Sequence, residues 1–211
     1  VIYDASQGKP EGLETYADLD DSRFRGDICV RSSSNIYNIS LLSSIVAHKG
    51  AEAAEDWAQG VVANFARAPQ GNDTSQIEAV AAGECRLSIV NTYYLARYAS
   101  GDEGERAIFD AVGVIFPNQD TTGTHVNVSG AGVVKGAPNR ENAIRFLEYL
   151  TTDSAQRYFA DGNNEYPAID GLDAASPVER LGDFRADALS VAEIGRNQRT
   201  AVEIFDRAGW N

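Results

Sequence analysis

No apolar stretch approaches the roughly 20 residues that a membrane-crossing helix needs, so no segment of the 211 residues can span a bilayer as a helix. The opening Val1-Ile2-Tyr3-Asp4 lacks the basic and apolar regions of a secretory leader. Three readings fit that start: a cytosolic chain, a mature secreted form, or a piece of something longer. Histidine is scarce. His48 and His125 are isolated, and neither cysteine belongs to a CxxC pair, which argues against a zinc-type site. A Ser-His-Asp order, a P-loop and an HExxH pattern are also missing, so the expectation is a protein that is not an enzyme.

Positive charge is in short supply as well. Eighteen Lys and Arg face 31 Asp and Glu for a net charge of −13, which argues against nucleic acid or an anionic membrane as partner, since both require basic patches. The only lysines are Lys9, Lys49 and Lys135. Anionic ligands must be held locally, and the scattered acids serve solvation with a weak long-range pull on cations. The 43% hydrophobic content is enough for a sizeable core.

Cys29 and Cys85 each open a short apolar run, Ile28-Cys29-Val30 and Cys85-Arg86-Leu87-Ser88-Ile89-Val90. If those runs are neighbouring parallel strands the sulfurs could meet. A disulfide, implying an oxidising compartment, and a pair of buried thiols both fit the sequence.

The pattern along the chain alternates strands with helices. After a polar lead, a strand at Ile28–Arg31 meets Ser32-Ser33-Ser34-Asn35, residues suited to cap a helix from Ile36 to His48 that Gly50 ends. Ala54, Trp57, Ala58 and Val61 give the next helix one buried face. Ser75 and Glu78 form a capping-box pattern for a short helix closed by Gly83. Strands follow at Arg86–Asn91 and Val112–Phe116, then an extended segment over His125–Val128 and Gly132–Val134. Pro138 opens a helix with Ala143, Phe146, Leu147 and Leu150 on its apolar face. Another helix surrounds Ser154–Ala160, and Ala186–Ala208 reads as one or two more. Alternating β and α over most of the length predicts an α/β fold with a doubly wound, mainly parallel sheet.

Open parallel sheets bind ligands outside the carboxyl ends of their strands. Tyr93 and Tyr94 sit there, where Ser88–Asn91 gives way to a helix. A phenol ordinarily keeps its proton until about pH 10, but a highly charged cation can hold it as phenolate at neutral pH. Tyr37 lies in the first turn of the helix after Ser32, Ser33, Ser34 and Asn35, where free N–H groups favour an anion. Asn72 precedes another helix start, and Asn91 ends the strand that delivers the tyrosine pair. On spacing alone these residues fit ordinary caps and core tyrosines as well as one shared pocket.

Several longer motifs carry a resemblance. Arg31–Asn38, Val62–Thr74, Asn91–Arg97, His125–Gly132, Asn139–Tyr158, Asn163–Pro167 and Ile204–Gly209-Trp210 resemble the periplasmic ferric iron-binding proteins, receptors of iron ABC importers in the two-lobed, transferrin-like class. The resemblance covers nearly the whole chain. It implies a type II periplasmic-binding-protein fold, an extracytoplasmic location, and a monomer that captures Fe3+ and delivers it to an ABC permease in the membrane. It also implies Tyr37, Tyr93 and Tyr94 as phenolate ligands that together neutralise ferric charge. A synergistic anion such as carbonate would fall on Ser32, Ser33, Ser34, Asn72 and Asn91, with Arg31 either neutralising it or making a structural pair. A rival reading keeps the receptor class but makes the tyrosines the wall of a pocket for a small anion or organic solute.

The departure from that family is at the front, where its members carry a further stretch with a histidine or tyrosine donor. Neither His48 nor His125 matches that donor. The expectation is therefore a chain lacking its N-terminal part. Residues 1–120 with 170–211 would form the second lobe, and 125–167 would return to an incomplete first lobe.

Overall fold

In the computed structural model, which describes residues 1–173 and 176–211, successive residues of the short strands face opposite layers, as a period of two requires. Ile28 and Val30 enter one core, while Cys29 between them enters the other. Strands β1 (Ile2–Asp4), β2 (Ile28–Cys29), β3 (Leu87–Ser88) and β4 (Val112–Val114) form one sheet in the order β2-β3-β1-β4. β2 and β3 are parallel, with Ile28 opposite Leu87 and Cys29 opposite Ser88. β1 runs antiparallel to both β3 and β4. Three strands thus share a direction and one opposes them. That reversed strand is only three residues long and carries no alternation that would announce it from sequence.

In chain order the helices are α1 (Ile36–Lys49), α2 (Ala51–Ala63), α3 (Asp73–Ala81), α4 (Thr92–Ala99), α5 (Glu103–Asp110), α6 (Arg140–Leu150), α7 (Asp153–Asn163), α8 (Ser176–Glu179) and α9 (Val191–Ala208). Leu41, Leu42 and Val46 of α1, Ala54, Trp57, Ala58 and Val61 of α2, and Ala201, Ile204 and Phe205 of α9 close over one face of the sheet. Ile77 and Val80 of α3, Leu95 and Ala96 of α4 and Val178 of α8 close over the other. This is the doubly wound α/β arrangement. Of the stretch 170–211, residues 174–175 lie outside the described residues.

Three local expectations are corrected. Ser75 and Glu78 do not cap α3, because Asn72 accepts from Ser75 N at 3.0 Å and the helix begins earlier, at Asp73. A capping box forms instead at Asp102 and Glu105 of α5. The segment 125–134 joins no ladder among the described residues. Only Thr124 pairs, in a parallel bridge with Ala186, where Thr124 N donates to Arg185 O and Asp187 N to Thr124 O, both at 2.8 Å. The apolar face of α6 is the third: Phe146 is 59% exposed and Ala143, Leu147 and Leu150 are half-buried.

α9 ends with Gly209 at φ 76°, a left-handed turn that costs a glycine nothing sterically. The turn sends Trp210 into the core against Trp57, Phe65 and Phe205. There its indole N–H donates to the Arg31 carbonyl at 3.0 Å.

Cys29 and Cys85 form a disulfide, with Cα atoms 5.9 Å apart and both residues buried. The bond ties β2 to the residues leading into β3, and it closes a loop with a sequence separation of 56. Constraining an unfolded loop of that size is worth about 4 kcal/mol in the chain-entropy account. The double variant Cys29→Ala/Cys85→Ala is therefore expected to lose about 2–4 kcal/mol of stability. Urea titrations of the two proteins would read this, and coincident midpoints would show that the bond adds nothing.

Candidate metal centre

The carboxyl ends of the parallel neighbours β2 and β3 bring the proposed site residues to one edge. Past β2, Arg31 and Ser32 lead to Asn35, whose side chain accepts from Tyr37 N at 3.0 Å and starts α1. Past β3, Ile89 to Asn91 lead into α4, which opens on Thr92, Tyr93 and Tyr94.

The three phenols meet. Tyr93 Oη donates to Tyr37 Oη at 2.7 Å, and the Tyr93 and Tyr94 rings lie with centroids 4.3 Å apart. All three residues are half-buried, so one side of the group stays open to solvent. The Arg31 guanidinium lies 5.3 Å from the Tyr37 ring centre and that of Arg97 5.8 Å from the Tyr94 ring centre. Burial and the hydrogen bonds shared with Tyr37 and Tyr94 push the Tyr93 phenol far above its ordinary range. For Tyr37 the bond from Tyr93 favours the phenolate, but burial and the nearness of Tyr94 and Asp73 outweigh it and raise the phenol. Without a cation Tyr37 and Tyr93 therefore hold their protons. A trivalent ion would change that balance, because metal and protons compete for the same oxygens.

No group of three or more His, Cys, Asp or Glu among the described residues could hold a metal ion. The three phenols at this edge are hard oxygen donors.

The candidate anion residues are placed less uniformly. Ser32 and Ser34 hydroxyls lie 3.0 Å apart in a turn before α1, and Ser34 N donates to Ser32 Oγ. Asn72 spends its side-chain oxygen on Ser75, and Asn91 spends its own as acceptor for Asn127 Nδ2 at 2.8 Å. Asn91 also turns its NH2 group to Asp73 at 3.4 Å. Arg31 makes the structural pair, with Asp73.

Asp73 carries no signal in the sequence, since an acid in the first turn of a helix is ordinary. In the fold it is 1% exposed and accepts from Asn91 N at 2.8 Å as well as pairing with Arg31. Beside Tyr37 a small cavity of about 50 Å³ is lined by Arg31, Asn38, Asp73, Asn91, His125 and Asn127. A larger depression, about 470 Å³, lies away from the tyrosines between Asp4, Ser6, Gly83 and Asp110. His125 Nε2 is 3.0 Å from Ser40 Oγ, and burial pushes its imidazole down to about 4, so it stays neutral at physiological pH. His48 pairs with Asp187 at 2.7 Å. His48 thus serves a contact away from the phenols, whereas His125 bonds Ser40 and lines the cavity beside Tyr37.

Comparison with known proteins gives the family. A family described as bacterial extracellular solute-binding protein matches residues 3–183. The chain is 48% identical over 211 residues to iron uptake protein A1 of Synechocystis, covering all of this chain and 59% of that relative. It therefore spans about three fifths of that relative's length. A Trichodesmium protein solved in complex with iron and citrate ligands superposes with a TM-score of 0.95 at 48% identity, covering 100% of this chain and 67% of the other. A ferric binding protein from Campylobacter jejuni superposes with a TM-score of 0.93 at 33% identity, covering 100% and 67%.

Proposed function

The chain belongs to the bacterial extracellular solute-binding protein family, and from that premise we propose that it captures ferric iron through the phenolates of Tyr37, Tyr93 and Tyr94 for delivery to an ABC importer. One observation carries the reading: three tyrosine side chains from two helix starts converge at a strand edge, with two hydroxyls 2.7 Å apart. Three phenolates neutralise a trivalent cation and offer the hard oxygen donors it prefers. Relatives named for iron uptake and ferric binding support the same assignment. The role is capture, since the phenols have no histidine partner for acid–base work.

An anion would complete the coordination. Ser32, Ser33 and Ser34 before α1 and the amide groups of Asn72 and Asn91 are the donors proposed for it. The Trichodesmium relative is in complex with citrate as well as iron, which fits a carboxylate-type anion.

Residues 1–120 with 170–211 would form one lobe and 125–167 part of a second. Support comes from exposure: Ile144, Phe146, Tyr149 and Tyr158 of α6 and α7, and Val128 and Val134 ahead of them in the chain, all present apolar surface. Closure of two lobes about bound iron would then present the loaded form to a permease. The receptor would act as a monomer outside the cytoplasmic membrane.

Titrating ferric nitrilotriacetate into the protein is expected to develop a visible phenolate-to-iron absorption band that saturates at one ion per chain. A colourless titration would reject the iron reading and favour a receptor for a small anion or organic solute.

A further inference from the structure

We propose that Asp73 is the positioning residue of the tyrosine site, an inference that rests on the iron-binding reading above. Its buried carboxylate reaches the two segments that launch the tyrosine helices. One oxygen pairs with the Arg31 guanidinium, ahead of α1, and the other accepts from Asn91 N at 2.8 Å and from Asn91 Nδ2 at 3.4 Å, ahead of α4. Arg31 in turn covers the Tyr37 ring, and its carbonyl accepts from Asn38 Nδ2 at 3.0 Å within the first turn of α1. Asp73 therefore joins, through one side chain, the backbone that aims Tyr37 to the backbone that aims Tyr93 and Tyr94.

Two features make this more than a stability contact. Asp73 is held at the first position of α3, a third element, so both tyrosine segments are referred to a fixed point in the second core. The pairing also neutralises a guanidinium that would otherwise stand as an unmatched cation beside the seat proposed for Fe3+. Charge-assisted bonds of this kind are short and directional, and metal sites depend on such outer partners to orient the atoms that bind.

Asp73→Asn keeps the shape and an acceptor for Asn91 N but abolishes the ion pair. Against the ferric titration of the wild type, it is expected to bind at least tenfold more weakly and to shift the absorption maximum, because the angle between Tyr37 and the pair changes. Asp27→Asn is the control. Asp27 pairs with Arg86 at 3.8 Å at the opposite ends of β2 and β3, so its loss weakens the same strands away from the tyrosines. That variant should keep the wild-type band and affinity. Should Asp73→Asn fail to fold with Arg31 left half-buried and unpaired, the double variant Arg31→Met/Asp73→Asn removes both charges and is expected to fold and still bind at least tenfold more weakly.

A folded Asp73 variant, single or double, with the wild-type band and affinity would overturn the proposal. So would an equal loss in Asp27→Asn. A wild type that shows no band takes down the iron reading and this inference together, whereas a wild-type band that persists unchanged in the Asp73 variants takes down this inference alone.

Discussion

Tyr93→Phe is expected to weaken and shift the visible band, since Tyr37 and Tyr94 remain, and to weaken ferric binding by more than the roughly 10- to 100-fold that loss of an outer partner of a metal ligand costs. Tyr93 is the central member of the cluster. Its hydroxyl bonds Tyr37 and its ring lies against Tyr94 at 4.3 Å, so removing one oxygen deletes a donor and frees the Tyr37 hydroxyl from its partner. Phenylalanine retains the ring and its packing, which separates the chemistry from the fold. Tyr98→Phe is the matched comparison. Tyr98 lies in the same helix, is 5% exposed, and donates to Glu78 at 3.0 Å on the side away from Tyr37. That variant should lose a hydrogen bond and keep its colour. A Tyr93→Phe protein that titrates like the wild type would remove the central oxygen from the proposed coordination.

The second large effect is acid release of iron. In the metal-free protein Tyr93 and Tyr37 both hold their protons above the usual phenol range, through burial and shared hydrogen bonds for Tyr93 and through burial and neighbouring groups for Tyr37. Binding as phenolates must therefore expel a proton from each ligating hydroxyl. The sign follows directly: protons are products of loading, so raising their concentration drives iron off. With three phenolates the apparent affinity falls by up to about three decades per pH unit below neutrality, once the competitor's own protonation is allowed for. Equilibrium competition against a chelator at several pH values measures the slope, as does direct counting of protons released on loading. A slope near zero would mean that the hydroxyls bind without ionising, and the phenolate account would fall with it.

Much of the architecture is readable from the residues, for identifiable reasons. α1 starts at the Asn35 cap and stops before Gly50 as its flanking residues mark, and the buried face of α2 is the one that the apolar spacing marks, Ala54, Trp57, Ala58 and Val61. What escapes is short or depends on distant partners. β1 has three residues, too few for a period to show. The alternation at His125–Val128 is real, yet a strand needs a neighbour, and among the described residues only the Thr124–Ala186 bridge supplies one. α5 is amphipathic but buries none of its residues fully, and its cap pair of Asp102 and Glu105 was the better box.

The site divides in the same way. Tyr93 and Tyr94 stand out because a strand hands straight over to a helix, but spacing could not say that Tyr37, 56 positions earlier, would lie within hydrogen-bond reach of Tyr93. That took the long motifs of a family. Asp73 shows the opposite case. It stands inside one of those motifs, next to an asparagine already singled out, yet its partners Arg31 and Asn91 lie 42 and 18 positions away. Only the folded sheet reveals what it holds together.

The closing turn at Gly209 has an optical consequence. Both indoles of the chain are lodged in one corner with ring centres 6.2 Å apart, and one of them is bonded to the main chain where Arg31 leaves the sheet. Intrinsic fluorescence thus originates next to the segment that aims Tyr37, and a rearrangement there reports itself in emission without any attached dye.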